Sequence, residues 1–381
     1  MKNSSKSKNL NRPSKGIFIF LLLGLVGFAV SCLSVTTIAD TASPPAATEI
    51  VPSIPSSAVT PKSATTVTQS VRVGRIVFIS DRDGQQKIYL MNADLSSQIL
   101  FTISDSKDDM PRWSPDGQKI SFVSTVNKNT DIYIINADGS HLSRLTNDVA
   151  KDSSPAWSPD GKRLVFESFR DGNWEIYIIN VDGTGLKRLT DTPAGDTNPT
   201  WSPDGRWIAF TSNREGNADV YLVNPDDTEL VRLTPEIVPE SDPAWSPDGQ
   251  QIAFRSWSSD TVADICLINV NGSGRHCLTD GGRENGVPVW SPDGSKLAFR
   301  SKRGGSWGID ILNVLDGSLK SLITGVPPKG DPVWSPDSNY LAFQADAGGN
   351  MEVYDMDILS NIVTRLTNNK AFDGEPNWSP N

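Results

Sequence analysis

The chain has 381 residues, with 35 Lys and Arg against 45 Asp and Glu for a net charge of −10, and only 2 His and 3 Cys beside 30 Gly, 26 Pro and 11 Trp. That inventory excludes a three-histidine metal site, a four-cysteine zinc site and a multi-bridge disulfide framework. An acidic body with a sequence pI near 4.8 is a poor partner for nucleic acid, whose non-specific affinity comes from phosphate neutralisation, so no nucleic-acid partner is expected.

Residues 1–35 form a membrane-targeting segment. Lys2, Lys6, Lys8, Arg12 and Lys15 precede an uncharged, strongly apolar run from Gly16 to Val35. Such a run serves as the core of an export signal or as a single span, with the basic residues kept on the cytoplasmic side. Three readings stand. Phe28-Ala29-Val30-Ser31-Cys32 resembles a bacterial lipobox, which makes Cys32 a candidate for lipidation. Apolar sequence continuing through Leu33 and Val35 fits an uncleaved signal anchor, and cleavage near Ala39 is the third reading. Each places the body outside the cytoplasm, in the periplasm or at the cell surface, with the membrane as a partner through the N-terminus.

Residues 36–70 are mostly Ser, Thr, Pro, Ala and Val and contain no aromatic residue. A segment with so little to bury keeps its backbone entropy, and a disordered linker is expected there.

From residue 71 to 381 the chain repeats. Trp-Ser-Pro recurs at Trp113, Trp157, Trp201, Trp245, Trp290, Trp334 and Trp378, at spacings of 44 or 45 residues. Each unit holds four short strand signals: the tryptophan strand, an Ile-Ala-Phe run such as Ile208 to Phe210, a run such as Asp131 to Asn136, and a piece such as Arg144-Leu145-Thr146. β-Branched and aromatic runs divided by Pro-Asp-Gly and Asp-Gly turns give strands and leave no window for a long helix. Four-stranded units of this length predict an all-β propeller with seven blades. The first unit lacks a tryptophan strand before Ile76-Val77-Phe78, and the last tryptophan strand, at Trp378, has nothing after it. The C-terminal strand should therefore complete the N-terminal blade and close the ring.

Trp-Ser-Pro-Asp-Gly followed by Ile-Ala-Phe and later Arg-Leu-Thr resembles the WD40-like β-propeller repeat of the TolB family, over residues 71 to 381. The resemblance implies a propeller working with partner proteins at the bacterial envelope. It does not extend to the separate α/β domain of TolB, and seven units stand where TolB has six blades. Serine hydrolysis, the activity most often attached to this repeat, lacks its carrier, because no nucleophile elbow is recognised.

The Asp after six of the seven Trp-Ser-Pro runs (Asp116, Asp160, Asp204, Asp248, Asp293, Asp337) is assigned to turn hydrogen bonding. His141 and His276 fall in separate blades, and no metal is assigned to them. Cys266 and Cys277 flank the Val270 to Ser273 turn; a two-residue turn pairs them directly, whereas a bulged turn leaves them as free thiols.

Three residues before the proline that precedes each tryptophan stand Asp108, Asp152, Asp196, Glu240, Asn285, Lys329 and Asp373. The five acids belong to adjacent blades, and their place at the start of the innermost strand predicts an acidic arc at the channel mouth. Two readings of that arc remain open: internal pairing with the repeated Arg82, Arg170, Arg214 and Arg303, or a receptor for a basic peptide segment or a divalent cation. Trp257, Trp307 and Trp174 lie outside the Trp-Ser-Pro series, in loops of the same face, and Trp257, Trp307 and Arg303 are candidate partner contacts. The expected function is a non-enzymatic protein-binding scaffold on the outer side of a bacterial cytoplasmic membrane or in the envelope, requiring no cofactor. A carbohydrate- or peptide-acting propeller enzyme and a structural component of a surface complex are the alternatives. Unlike, non-repeated polar groups in the channel would favour the enzyme.

Overall fold

Ile76-Val77-Phe78 and its counterparts through Leu341-Ala342-Phe343 are apolar throughout except at Ser121, and their side chains are shielded from solvent. That pattern belongs to a strand covered on both faces. The computed structural model supplies the cover. It describes residues 71–102, 105–226, 229–322, 327–346 and 348–380, all within the compact unit Thr65–Asn381. The targeting segment, Cys32 and the linker lie outside the described residues. Among the described residues no helix is long and apolar enough to cross a membrane.

The strands form seven sheets of four, each an antiparallel blade with the tryptophan strand at one edge. Numbering blades along the chain, the tryptophan strands of blades 1 to 7 are Asp373–Trp378, Lys107–Trp113, Asp152–Trp157, Asp196–Trp201, Glu240–Trp245, Val289–Trp290 and Val333–Trp334. Each touches the next around a closed circuit, so these strands are innermost and line a central channel. Blade 1 takes its inner strand from the C-terminus and Arg75–Ser80, Lys87–Asn92 and Gln98–Leu100 from the N-terminus. Ile76 pairs with Trp378 and Ser80 with Asp373, while Ser379 N donates to Arg75 O at 2.7 Å. Ahead of this blade, the Arg72 guanidinium reaches across to blade 7, bonding the Asp355 carboxylate at 2.5 and 3.0 Å and Thr364 Oγ1 at 2.6 Å.

The core is divided among the blade interfaces, with one apolar cluster for each of the seven. The closing interface between blades 7 and 1 has its own, containing Ile76, Phe78, Tyr340, Val353, Leu366 and Trp378. Indole N–H groups bind neighbouring blades together. Trp157 donates to Arg112 O, Trp245 to Thr200 O, Trp290 to Ala244 O, Trp334 to Val289 O and Trp113 to Asn377 O, at 3.1 to 3.3 Å. The tryptophans therefore hold the ring together and do not form a stacking platform.

On one face the Trp-Ser-Pro-Asp turns are built alike. Ser114 Oγ donates to Asp116 Oδ1 and accepts from Lys119 N, while Gln118 N also donates to Asp116. These hydrogen bonds hold the Asp116 carboxyl below its ordinary range.

In blade 5, Cys266 and Cys277 stand directly opposite in register and are joined by a disulfide that fastens the short outer strand His276–Cys277 to the sheet. The bond closes a small loop, with a sequence separation of 11. Reduction, or Cys277→Ser under oxidising conditions, is expected to cost about 2 to 3 kcal/mol. Thermal unfolding with and without reductant checks this, and the Ser variant should be insensitive to reductant.

Candidate functional site

The five acids of the expected arc are all completely buried. Strand alternation turns them into the body of the blade, and a carboxylate so enclosed needs partners. Asp152 meets Arg170 Nη2 at 3.1 Å, Asp196 meets Arg214 at 2.8 Å and Asp373 meets Arg82 at 3.0 Å. Each of these arginines also donates from Nε to the Ser two residues earlier and lies over a tyrosine: Arg82 over Tyr89, Arg170 over Tyr177 and Arg214 over Tyr221, at 4.5 to 4.7 Å. Burial still pushes the Asp196 carboxyl above its ordinary value, against the opposing pull of Ser212 and Arg214.

Where the arginine of this loop is missing, other groups replace it. Asp108 accepts from Thr102, Ser106 and Ser124 at 2.5 to 2.7 Å, and Glu240 pairs with Arg275 at 2.5 Å. Blade 6 has Asn285 in place of the acid, and Arg303 instead pairs with buried Asp310. Of the two readings of the arc, internal pairing holds for Arg82, Arg170 and Arg214, and the placing of the acids at the channel mouth is corrected: Asp108, Asp152, Asp196, Glu240 and Asp373 are held inside the blades, while Arg303 pairs with Asp310 and not with the arc. A second row of acids, which the sequence reading did not single out, accounts for the Arg-Leu-Thr signature. Asp131, Glu175, Asp219 and Glu352 pair with Arg144, Arg188, Arg232 and Arg365.

Instead, the residue immediately before each of the repeated prolines faces the channel. In blades 1 to 5 the inner strand bulges there, with two residues opposite one. Ser153 pairs with Glu167 and Ala156 with Val165, leaving Ser154 and Pro155 facing Phe166 alone. A bulge tolerates proline because the ladder needs no N–H at that point. The first bulge residue is left-handed in each case: Met110, Ser154, Asn198, Asp242 and Glu375 have φ of 49 to 57°. Asn and Asp accept this conformation readily, whereas Met and Glu are strained in it. Val287 and Asp331, the equivalents in blades 6 and 7, are not left-handed. A β-branched valine could hardly be so, and the regular inner strands of these blades are only two residues long.

These seven side chains, of six kinds, line a cavity of about 650 Å³ at the channel mouth, which Arg112, Gln344 and Asn377 also line. Around one arc, Asn198 Nδ2 donates to Asp242 at 2.9 Å, Asp242 pairs with Arg255 at 3.2 Å, and Arg255 lies 4.2 Å over the Trp257 ring. In the next sector Asp331 pairs with Arg300 at 2.9 Å, and Arg300 lies 4.7 Å over Trp307. Trp257 and Trp307 are half-buried and hold the arginines that position channel aspartates. Trp174 lies away from these chains, against Phe169 and Lys151.

On the opposite side, Met110 N is 3.0 Å from both Asp109 Oδ1 and Glu375 Oε2. Burial, followed by the charge and hydrogen bond of Asp109, raises the Glu375 carboxyl to about 7, with Arg112 opposing.

The mouth therefore offers donors, acceptors, an apolar patch at Met110 and Val287, and cations held in place by aspartates. Among the described residues no three His, Cys, Asp or Glu side chains converge as a metal ion would need. His141 and His276 are exposed and occupied by local contacts in separate blades. One stretch does carry Gly-x-Ser-x-Gly spacing, Gly304 to Gly308, which the sequence reading passed over. It is the tip of the hairpin joining Lys296–Arg303 to Ser306–Asn313, where no strand-to-helix elbow exists.

A family model for the TolB beta propeller domain matches residues 111–241 and 241–381. No curated protein matches the chain. Among solved structures, TolB from Acinetobacter baumannii is 21% identical with a TM-score of 0.57, over 82% of this chain and 68% of that one. Oligogalacturonate lyase from Vibrio parahaemolyticus is 15% identical with a TM-score of 0.61, over 79% and 87%. The β-propeller domain of the Trilobed protease from Pyrococcus furiosus is 15% identical with a TM-score of 0.60, over 79% and 96%. At these identities the likeness is one of fold. The family model spans the repeated prolines and Trp-Ser-Pro turns of blades 2 to 7 and the closing strand, and this chain belongs to the TolB beta propeller domain family.

Proposed function

We propose that the ring is a non-enzymatic protein-binding module of the bacterial envelope, held outside the cytoplasmic membrane through residues 1–35, which grips a segment of a protein partner at the channel mouth. The observation carrying this reading is the cavity of about 650 Å³ at the channel mouth, walled by amide, apolar and charged side chains together. Two of them, Met110 and Glu375, keep a costly backbone conformation, and strain of that kind tends to be retained where a side chain must be aimed. A peptide supplies the mixed amide, apolar and charged groups that Asn198, Asp242, Val287 and Asp331 would meet.

A photo-crosslinking residue at Val287 should capture one defined protein in intact cells, and the same residue at Lys162, on the opposite face, should not. Asn198→Ala and Asp242→Ala should each reduce the captured yield by about 10-fold. Capture from Lys162 alone would move the site to the turn face. The enzyme alternative is supported by those same unlike groups and by the converging Asp109 and Glu375 carboxyls. Turnover of a peptide or oligosaccharide by purified ring, lost in Glu375→Gln, would establish that alternative in place of the scaffold.

A further inference from the structure

Asp109 and Glu375 come from different blades. Asp109 is on the inner strand of blade 2, and Glu375 is on the C-terminal strand that closes blade 1. Both carboxylates point at a single donor, the Met110 N–H, each at 3.0 Å. One N–H cannot satisfy two negative charges brought this close, and like charges at such a site favour a proton held between them. We propose that Asp109 and Glu375 share a single proton across the seam where the C-terminal strand closes the ring, and that this proton is a pH switch on closure.

Two cations stand beside the pair, both on the inner strand of blade 2. Arg112 acts on Glu375 and on Asp109 together, and Lys107 approaches Asp109 at 3.7 Å from an exposed position. On the closing strand, Asp373 is taken by Arg82. From blade 7 come neutral Gln344, whose Oε1 accepts from Glu375 N at 2.8 Å, Glu352, which is paired with Arg365, and Asp331, which is paired with Arg300. The adjoining strand of blade 1 offers apolar Val77 and Ile79.

The sign follows from where the proton is bound. Glu375 titrates near 7 in the folded ring against an ordinary 4.5, so between those values the folded state binds more protons than the unfolded one. Stability is then greatest below 4.5 as far as this group is concerned, and it falls as pH rises through 7.

The test is reversible denaturant unfolding of the ring at pH 5 and pH 8, on wild type, Glu375→Gln and Asp109→Asn. Glutamine keeps an acceptor for Met110 N–H and has no charge to lose. The wild-type unfolding constant should rise between the two pH values by about 10- to 100-fold more than that of Glu375→Gln. Asp109→Asn keeps Glu375 but removes its repelling neighbour, so the remaining fall should move to lower pH. Parallel pH profiles for wild type and Glu375→Gln would overturn the proposal. If Glu375→Gln does not fold, an Asp109→Asn profile with an unmoved midpoint would overturn it equally.

Discussion

A chain ending at Ala371 is expected to form no closed ring. The missing strand, Asp373–Trp378, is the inner strand of blade 1. Its loss uncovers the edge beside Ile76 to Ile79, all essentially fully buried in the intact ring. Trp378 leaves the cluster between blades 7 and 1, Asn377 O no longer receives the Trp113 indole, and Arg82 loses the carboxylate of Asp373. Removing one buried tryptophan costs about 3 to 5 kcal/mol. The lost ladder, ion pair and interface together exceed the roughly 5 to 15 kcal/mol of a typical domain. Loss of near-ultraviolet circular dichroism and rapid proteolysis would show it, and a peptide of residues 371–381 added in trans should restore the signal and the resistance to protease. A truncated chain that unfolds cooperatively as a soluble monomer would contradict this closure.

The second large effect should come from the buried acids. Asp196→Ala leaves Arg214 without its carboxylate in a nearly enclosed position, since the side chains are 0% and 12% exposed. The expected cost is about 3 to 5 kcal/mol in denaturant unfolding, because an uncompensated buried charge remains. Asp331→Ala breaks a pair of similar length whose members are 34% and 21% exposed, and should cost under about 1 kcal/mol. Replacing Asp196 and Arg214 together by Leu and Met should be close to neutral. The raised Asp196 carboxyl already shows that attraction within the pair does not fully offset its desolvation. Equal losses for Asp196→Ala and Asp331→Ala would mean that burial does not set the energy of these pairs.

The ring was legible in the sequence because its determinants are local and repeated. Trp-Ser-Pro gives the inner strand and its turn, Ile-Ala-Phe the doubly covered strand, and the offset of Ile76 from Trp378 the mixed blade. The site was only half legible. Counting back from the proline located a meaningful column, but three residues back lies the buried acid, whereas the residue next to the proline faces the channel. The difference is the bulge, which reverses the alternation that a regular strand would follow, and a run such as Asp-Ser-Ser-Pro-Ala-Trp does not announce where two residues will oppose one. Arg303 likewise shares its column with Arg82, Arg170 and Arg214, yet Asn285 removes its carboxylate and Asp310 takes it. Only the partner lists of both columns together, brought close by the fold, decide that exchange.

The Arg72 clamp has a mechanical consequence. A pull on the chain ahead of Val71 loads first the Arg72 bonds to Asp355 and Thr364, so the force enters through blade 7 as well as blade 1. Beyond them it meets Arg75–Ser80, an interior strand gripped along both edges by Asp373–Trp378 and Lys87–Asn92. Such a strand cannot be peeled away like the outer strand of a blade. Tension must instead slide it past two ladders at once, and the Thr364 contact passes part of the load to Val363–Arg365, the outer strand of blade 7, so a tug from the N-terminus is shared between two neighbouring blades.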